Sequence, residues 1–355
     1  MCKSPLHPFL HALPKCEHHI HVEGALTPSL VFSFAAKNHV QLPDQPIYRN
    51  PDALAARYRH FEDLHDFLKI LKENLAVLVT EDDFHQLAWS YLVTAHSDGV
   101  RHVELSFDPQ SHTSRGVDIG SVVEGISTAC RRAERELDMS TRLIMCFLRD
   151  WPVSSAEDTL RSAHRFVQDG VVHGVGLDSS EVGFPPEPFE GVFRAAKESG
   201  LHRTAHAGEE GGVPYLKGTL ASLGVERIDH GIRLAEDPGL LREISRKKIL
   251  LTICPLSNMR LQQVESVGSL PLRNFLGAGV QFSLNSDDPA YFGGSVLGNY
   301  CAVQQAFDFN LDDWKRIAVA GIEGSWVSKE RKEDILRQVN EVMAQFIQSN
   351  CTSTC

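Results

Sequence analysis

His19 and His21 stand two residues apart in the stretch Cys16-Glu17-His18-His19-Ile20-His21-Val22-Glu23-Gly24, at the end of what reads as the first β-strand. Alternate residues of a strand face the same way, so the two imidazoles can grip one metal ion. Three later stretches, each at the end of another predicted strand, complete a hydrolytic site: His206-Ala207-Gly208-Glu209, Asp229-His230-Gly231 and Ser286-Asp287-Asp288-Pro289. A catalytic zinc takes three or four N/O ligands and keeps one position for water. His19, His21, His206 and Asp287 supply that set, for one Zn²⁺ per chain. The ion would lower the pKa of its water toward neutrality and deliver it to an electrophilic carbon. No thiolate belongs to the set, which argues against soft-metal redox chemistry. Glu209, three residues past His206, can shuttle a proton between water and a ring nitrogen. His230 can orient the water and stabilise developing charge. Asp288 diverges from its neighbour Asp287 and can meet the substrate. The chain has 17 histidines, and single ones such as His85, His164 and His173 read as structural or exposed.

Elements that bring these residues together follow from periodicity. From residue 98 onward, apolar β-rich runs alternate with helical patterns, as in a parallel sheet of repeated strand-helix units. The expected strands cover residues 100–107, 141–148, 171–177, 201–205, 227–230, 249–254 and 280–284; with 16–21 they number eight. Eight close into an α/β fold of the (β/α)₈ TIM-barrel type, whose chemistry sits at the C-terminal strand ends. Between two of them, Ser154 with Glu157 predicts a capping box, Leu160, Ala163 and Val167 share one helical face, and Gly170 ends the helix. Residues 30–97 exceed one crossover and form a helical insertion after strand one, with Phe61, Leu64, Phe67 and Leu68 at helical spacing. That stripe packs as core or walls the pocket. A C-terminal helical extension from Ser328 presents Leu336, Val339, Met343 and Phe346 on one side. Residues 1–355 are expected to form a single metal-dependent hydrolase domain.

Composition is that of an ordinary globular enzyme, with 42% hydrophobic and 23% charged residues. A net charge of −11 disfavours nucleic acid as a partner. No apolar run approaches the ~20 residues that span a bilayer, so no membrane role is expected and the cytoplasm or nucleus is the expected location. The eight cysteines are scattered without a C-x-x-C pair and read as reduced thiols; Cys351 and Cys355 match no prenylation signal. The glycine-rich Gly208-Glu209-Glu210-Gly211-Gly212 lacks the following Lys-Ser/Thr of a phosphate cradle. The sequence leaves the oligomeric state undetermined.

Assembled, these stretches resemble the adenosine and adenine deaminase family, and within it the adenine deaminases of fungi and bacteria. The resemblance rests on Pro14-Lys15-Cys16-Glu17 leading into His19-Ile20-His21-Val22-Glu23-Gly24, on Arg203-Thr204-Ala205-His206-Ala207-Gly208-Glu209, on Arg227-Ile228-Asp229-His230-Gly231, and on Asn285 through Gly294. Phe107-Asp108-Pro109-Gln110, Gly176-Leu177-Asp178-Ser179-Ser180-Glu181 and Cys254-Pro255-Leu256-Ser257-Asn258 extend it over nearly the whole chain. It implies zinc on His19, His21, His206 and Asp287, Glu209 as proton donor to a purine ring, His230 as catalytic histidine, and Asp288 at the purine imidazole edge. It also implies hydrolytic deamination in purine salvage, with a small purine as the substrate. Glu23 stands where adenosine-specific members usually carry Asp, which serves the ribose, so it implies adenine. Adenosine and an N6-substituted adenine remain alternatives, and a catalytically retired purine-binding barrel is a further one, opposed by the intact Glu209 and His230. His18 departs from the family's usual apolar residue and is expected to affect packing alone. The zinc deaminases of the cytidine type require P-C-x-x-C beside H-x-E; His21-Val22-Glu23 and His102-Val103-Glu104 are present but P-C-x-x-C is not.

Overall fold

In a computed structural model, which describes residues 4–352 (and the side chains of 4–349), the parallel strands are β1 (Lys15–His21), β2 (Val100–Phe107), β3 (Ser140–Leu148), β4 (Gly174–Asp178), β5 (His202–Arg203), β6 (His206–Ala207), β7 (Arg227–His230), β8 (Leu250–Ile253) and β9 (Phe282–Leu284). They pair as β1-β2-β3-β4-β5 and β6-β7-β8-β9. β5 and β6 are two pieces of one barrel strand: the intervening Thr204 donates its amide to Val175 (3.0 Å), and Ala205 accepts from Asp229 (2.9 Å). The circle closes where Asp287 N–H donates to His19 O and His21 N–H to Asp287 O, both at 3.0 Å. Eight barrel strands result, as the alternation predicts. Every residue of β1 is buried, because a barrel strand has the lumen on one side and the helical ring on the other.

Two local expectations are corrected. The helix following β3 starts at Val153 with Pro152 before it and no side-chain cap. Ser154 therefore lies inside the first turn and cannot act as N-cap, and the helix breaks at Ala163 before a short second one, His164–Gln168. The β4 expectation of 171–177 is shifted, since the amides of Val171 and Val172 fold back onto Phe166 O at 2.8 and 3.1 Å. They finish that helix around Gly170, whose φ of +66° a side chain would strain, and β4 begins at Gly174 and ends on Asp178.

The insertion after β1 is helical, with Pro28–Lys37, Pro51–Arg57, Leu64–Leu75 and Glu81–Ser97. Asp63 caps the third helix by accepting from Asp66 N–H (2.8 Å), and Thr80 with Asp83 forms a capping box on the fourth. Phe61, Leu64 and Phe67 are buried, and Leu68 is half-buried. The C-terminal helix Lys329–Thr352 buries Val339 and Met343, and its Phe346 meets Phe9 with ring centroids 5.2 Å apart. Among the described residues no helix is long and apolar enough to cross a membrane. Cys16, Cys130, Cys146 and Cys254 are buried and form no disulfide; Cys2, Cys355 and the side chain of Cys351 lie outside the described residues.

Candidate active site

The C-terminal strand ends converge on one pocket enclosing about 510 Å³ of empty space including its open mouth. His21, Glu23, Asp108, Asp178, His206, Glu209, His230, Asp287 and Asp288 give it polar walls, and Leu64, Phe67, Leu68 and Leu71 of the insertion give it an apolar one. The stripe seen in the sequence thus does both things allowed to it, packing as core and walling the pocket.

His19, His21, His206 and Asp287 each place one ligand atom within 4.8 Å of the others, all buried. A hydrogen-bond chain fixes His19: Thr252 Oγ1 donates to Asp229 Oδ1 (2.8 Å) and so accepts from His19 Nδ1 (2.9 Å). The proton sits on Nδ1, leaving the Nε2 lone pair buried, without a hydrogen-bond partner and 3.3 Å from Asp287 Oδ1. Two acceptors facing each other at that distance call for a cation between them. His21 Nδ1 lies 3.6 Å from Asp178 Oδ2, and its Nε2 lies 3.7 Å from Asp287 Oδ1. Burial, reinforced by the neighbouring histidines, holds His206 well below the usual imidazole pKa, in the neutral form that ligates. The four residues fit a divalent metal ion. A rival grouping of His19, His230, Cys254 and Asp287 fits less well. Burial pushes the Cys254 thiol well up, away from the thiolate a metal needs, and His230 Nδ1 already meets Asn258 Nδ2 at 3.1 Å.

Glu209 and His230 sit beside this set. His230 Nε2 is 3.4 Å from Glu209 Oε2 and 3.8 Å from Asp287 Oδ2. Asn258 Nδ2 donates to Glu209 Oε1 at 3.4 Å. Burial first, then the charge of Asp287, raises Glu209 well above the carboxylate range; a bound cation would offset the second cause and leave the first. Burial lowers His230 to about 3, so it is neutral near pH 7. The backbone of Glu209 is held by Glu181, which accepts from Gly208 N–H (2.9 Å) and Glu209 N–H (2.8 Å). His230 and Asp287 themselves have φ of +61° and +63°, conformations that non-glycine residues adopt at a cost and that aim both side chains into the pocket. Gly24 admits Asp288: a Cβ there would lie 2.2 Å from Asp288 Oδ1.

Every residue singled out in the sequence, His19, His21, Glu23, His206, Glu209, His230, Asp287 and Asp288, is thus gathered at one end of the barrel. His18 points away, between Ser283 Oγ (3.0 Å) and Ser325 Oγ (2.8 Å), as alternation requires. Asp178, Glu181, Asp229, Thr252 and Asn258 went unassigned. Asp178 closes its strand and Asp229 immediately precedes the strand-ending His230, a signal that an acid belongs to the site, whereas Thr252 lies in mid-strand and nothing in its sequence context marks it.

The adenosine deaminase family model matches residues 14–342. An adenine deaminase of Aspergillus oryzae is 50% identical over 349 residues, 98% of this chain and 99% of that protein. The crystal structure of an adenine deaminase from Arthrobacter aurescens superposes with a TM-score of 0.89 at 41% identity, covering 94% of this chain and 99% of that one. An amidohydrolase of Burkholderia ambifaria, crystallised with bound zinc, has a TM-score of 0.84 at 26% identity over 95% and 94% of the two chains. The chain belongs to the adenosine deaminase family and, within it, to the branch of the fungal and bacterial adenine deaminases.

Proposed function

We propose that this chain is a zinc-dependent adenine deaminase that converts adenine and water to hypoxanthine and ammonia, a step of purine salvage. The observation that carries the reading is the four-ligand set lying in one buried pocket beside Glu209 and His230. His19, His21, His206 and Asp287 hold one zinc ion, which when bound supplies a water of lowered pKa. Glu209, kept in its acid form by burial, donates to the ring nitrogen adjacent to the amino-bearing carbon. That protonation makes the carbon electrophilic. His230, neutral and anchored by Asn258, presents Nε2 where oxygen adds to the carbon, orients the incoming water and steadies its charge. The C–O bond forms, the C–N bond breaks and the amino group leaves as ammonia. Asp288 and Glu23 meet the remainder of the base. Leu64, Phe67, Leu68 and Leu71 exclude bulk water from one side. The whole chain acts as one domain in this reading.

The test is to follow hypoxanthine formation from adenine by zinc-loaded protein, before and after chelation. Turnover that disappears with the metal and returns with zinc supports the assignment. A folded, zinc-loaded protein inert toward adenine would overturn it.

A further inference from the structure

At the end of the pocket formed by β1, β2 and β4, several carboxylate oxygens have no hydrogen-bond partner in the protein. Glu23 is fixed through one oxygen: Oε1 accepts from Asp108 N–H (3.0 Å) and from His112 Nε2 (2.9 Å). Arg115 Nη2, 2.8 Å from His112 Nδ1, donates to that nitrogen and so keeps the ring proton on Nε2. Glu23 Oε2, on a residue only 1% exposed, has no partner. Asp108 is 8% exposed; its carboxyl faces that of Asp178 within hydrogen-bond range, and its buried Oδ1 accepts from no N–H or hydroxyl of the protein. Both residues line the pocket. Asp178 also has oxygens without a hydrogen bond, but its Oδ2 lies 3.6 Å from Nδ1 of His21, on the metal side of the pocket.

A buried acceptor left unpaired is destabilising, so acceptors that line a pocket and lack a protein donor mark where a ligand supplies one. With the amino-bearing carbon at Glu209 and His230 and the imidazole edge at Asp288, the next positions around a purine ring face Glu23, because Glu23 adjoins Gly24, which packs on Asp288. A free purine base carries an imidazole N–H there; an N9-substituted purine carries carbon. Resting on the adenine reading and going beyond it, we propose that Asp108 is a specificity-determining residue that, beside Glu23, accepts the imidazole N–H of a free base and so selects bases against N9-substituted purines. A site built to bond an N–H rejects the analogue without it strongly, because its own groups are then left unpaired.

The experiment measures kcat and KM for adenine and 9-methyladenine on zinc-loaded full-length protein, wild type, Asp108→Ala and Asp108→Asn. Neither substitution touches the backbone N–H that holds Glu23. Asp108→Ala should lose about 10- to 100-fold in kcat/KM on adenine, mainly through KM, as expected for a hydrogen bond to a charged group. It should lose little on 9-methyladenine, so the preference narrows by that factor while zinc content stays constant. Asp108→Asn, which keeps shape and an acceptor oxygen, should recover part of the adenine rate. Equal losses on both substrates would make Asp108 merely structural and overturn the proposal. So would loss of a second metal equivalent in the variants, since His21, Asp108 and Asp178 also lie within ligating distance of one another. A wild type inactive on both compounds would remove the adenine reading, and this inference with it.

Discussion

Glu104, within β2, and Asp108, just past its end, are both buried, and the protein treats them in opposite ways. Glu104 has both oxygens occupied: Oε1 accepts from His102 Nε2 (3.0 Å) and Trp326 N–H (2.6 Å), and Oε2 from Arg227 Nη1 (2.7 Å). The Arg227 guanidinium lies 3.9 Å from the Trp326 ring centroid. Glu23 Oε2 has no donor in the protein, and Asp108 and Asp178 face each other with no N–H or hydroxyl hydrogen-bonded to Asp108 Oδ1 or to either Asp178 oxygen. Below, the Glu104 carboxylate is fully paired, although Arg227 keeps Nε and Nη2 without a hydrogen-bond partner and stacks on Trp326 instead; at the upper end the carboxylates themselves lack N–H donors, and His230 and Asp287 add backbone strain. Stability and function are therefore separable along a single strand, as in barrels whose active sites occupy the C-terminal face.

The largest effect that would sharpen this contrast is expected from Glu209→Gln. It should reduce kcat by about 10²- to 10⁴-fold while zinc content and melting temperature hold, since general acid catalysis is lost and no ligand is. Metal analysis beside steady-state kinetics checks it, and an unchanged kcat would remove Glu209 from its role.

Next comes Glu104→Gln, which should leave zinc affinity and kcat close to wild type but destabilise the fold by about 3–5 kcal/mol, because Arg227 is left buried without its counter-charge. The pH dependence carries a definite sign. Although burial opposes it, Arg227 and then His102 hold Glu104 well below the ordinary value of 4.5. Its contribution is fully present above that value and is lost as pH falls toward the folded pKa. Denaturant midpoints of wild type and variant should accordingly converge as pH drops below about 4.5. Midpoints that stay equally far apart down to low pH would break the contrast.

Asp229→Asn should weaken zinc binding and turnover by about 10- to 100-fold, the usual result of removing an outer partner of a ligating histidine. Competition with a chelator measures it directly. The mildest test is the basic limb of the rate profile. Glu209 acts in its acid form and its pKa is raised, so kcat should fall as pH rises through that value, and Glu209→Gln should abolish that limb. A limb that persists in Glu209→Gln belongs to another group.

Much of this was legible because the decisive residues carry their own geometry. His19 and His21 share a face by strand alternation, and His206, His230 and Asp287 lie at predicted strand ends that a closed barrel must bring together. Asp178 is not marked by the pattern because the apolar run ends at Leu177; in the structure β4 continues one residue further and leaves an acid at the rim. Thr252 and Asn258 escaped for a different reason, as their roles depend on hydrogen bonds across strands distant in sequence. The Ser154 cap failed because Pro152 sets the helix start earlier. Spacing reports which residues share a face; it does not report which second residue completes a hydrogen bond.

A zinc site at the upper end of the barrel, shaped for the free base, has a kinetic signature of its own. Measuring kcat/KM for adenine and adenosine side by side, by ammonia release from protein of known zinc content, tests it most directly. One zinc per chain and a strong preference for adenine are expected. Equal or greater efficiency on adenosine would contradict the free-base pocket.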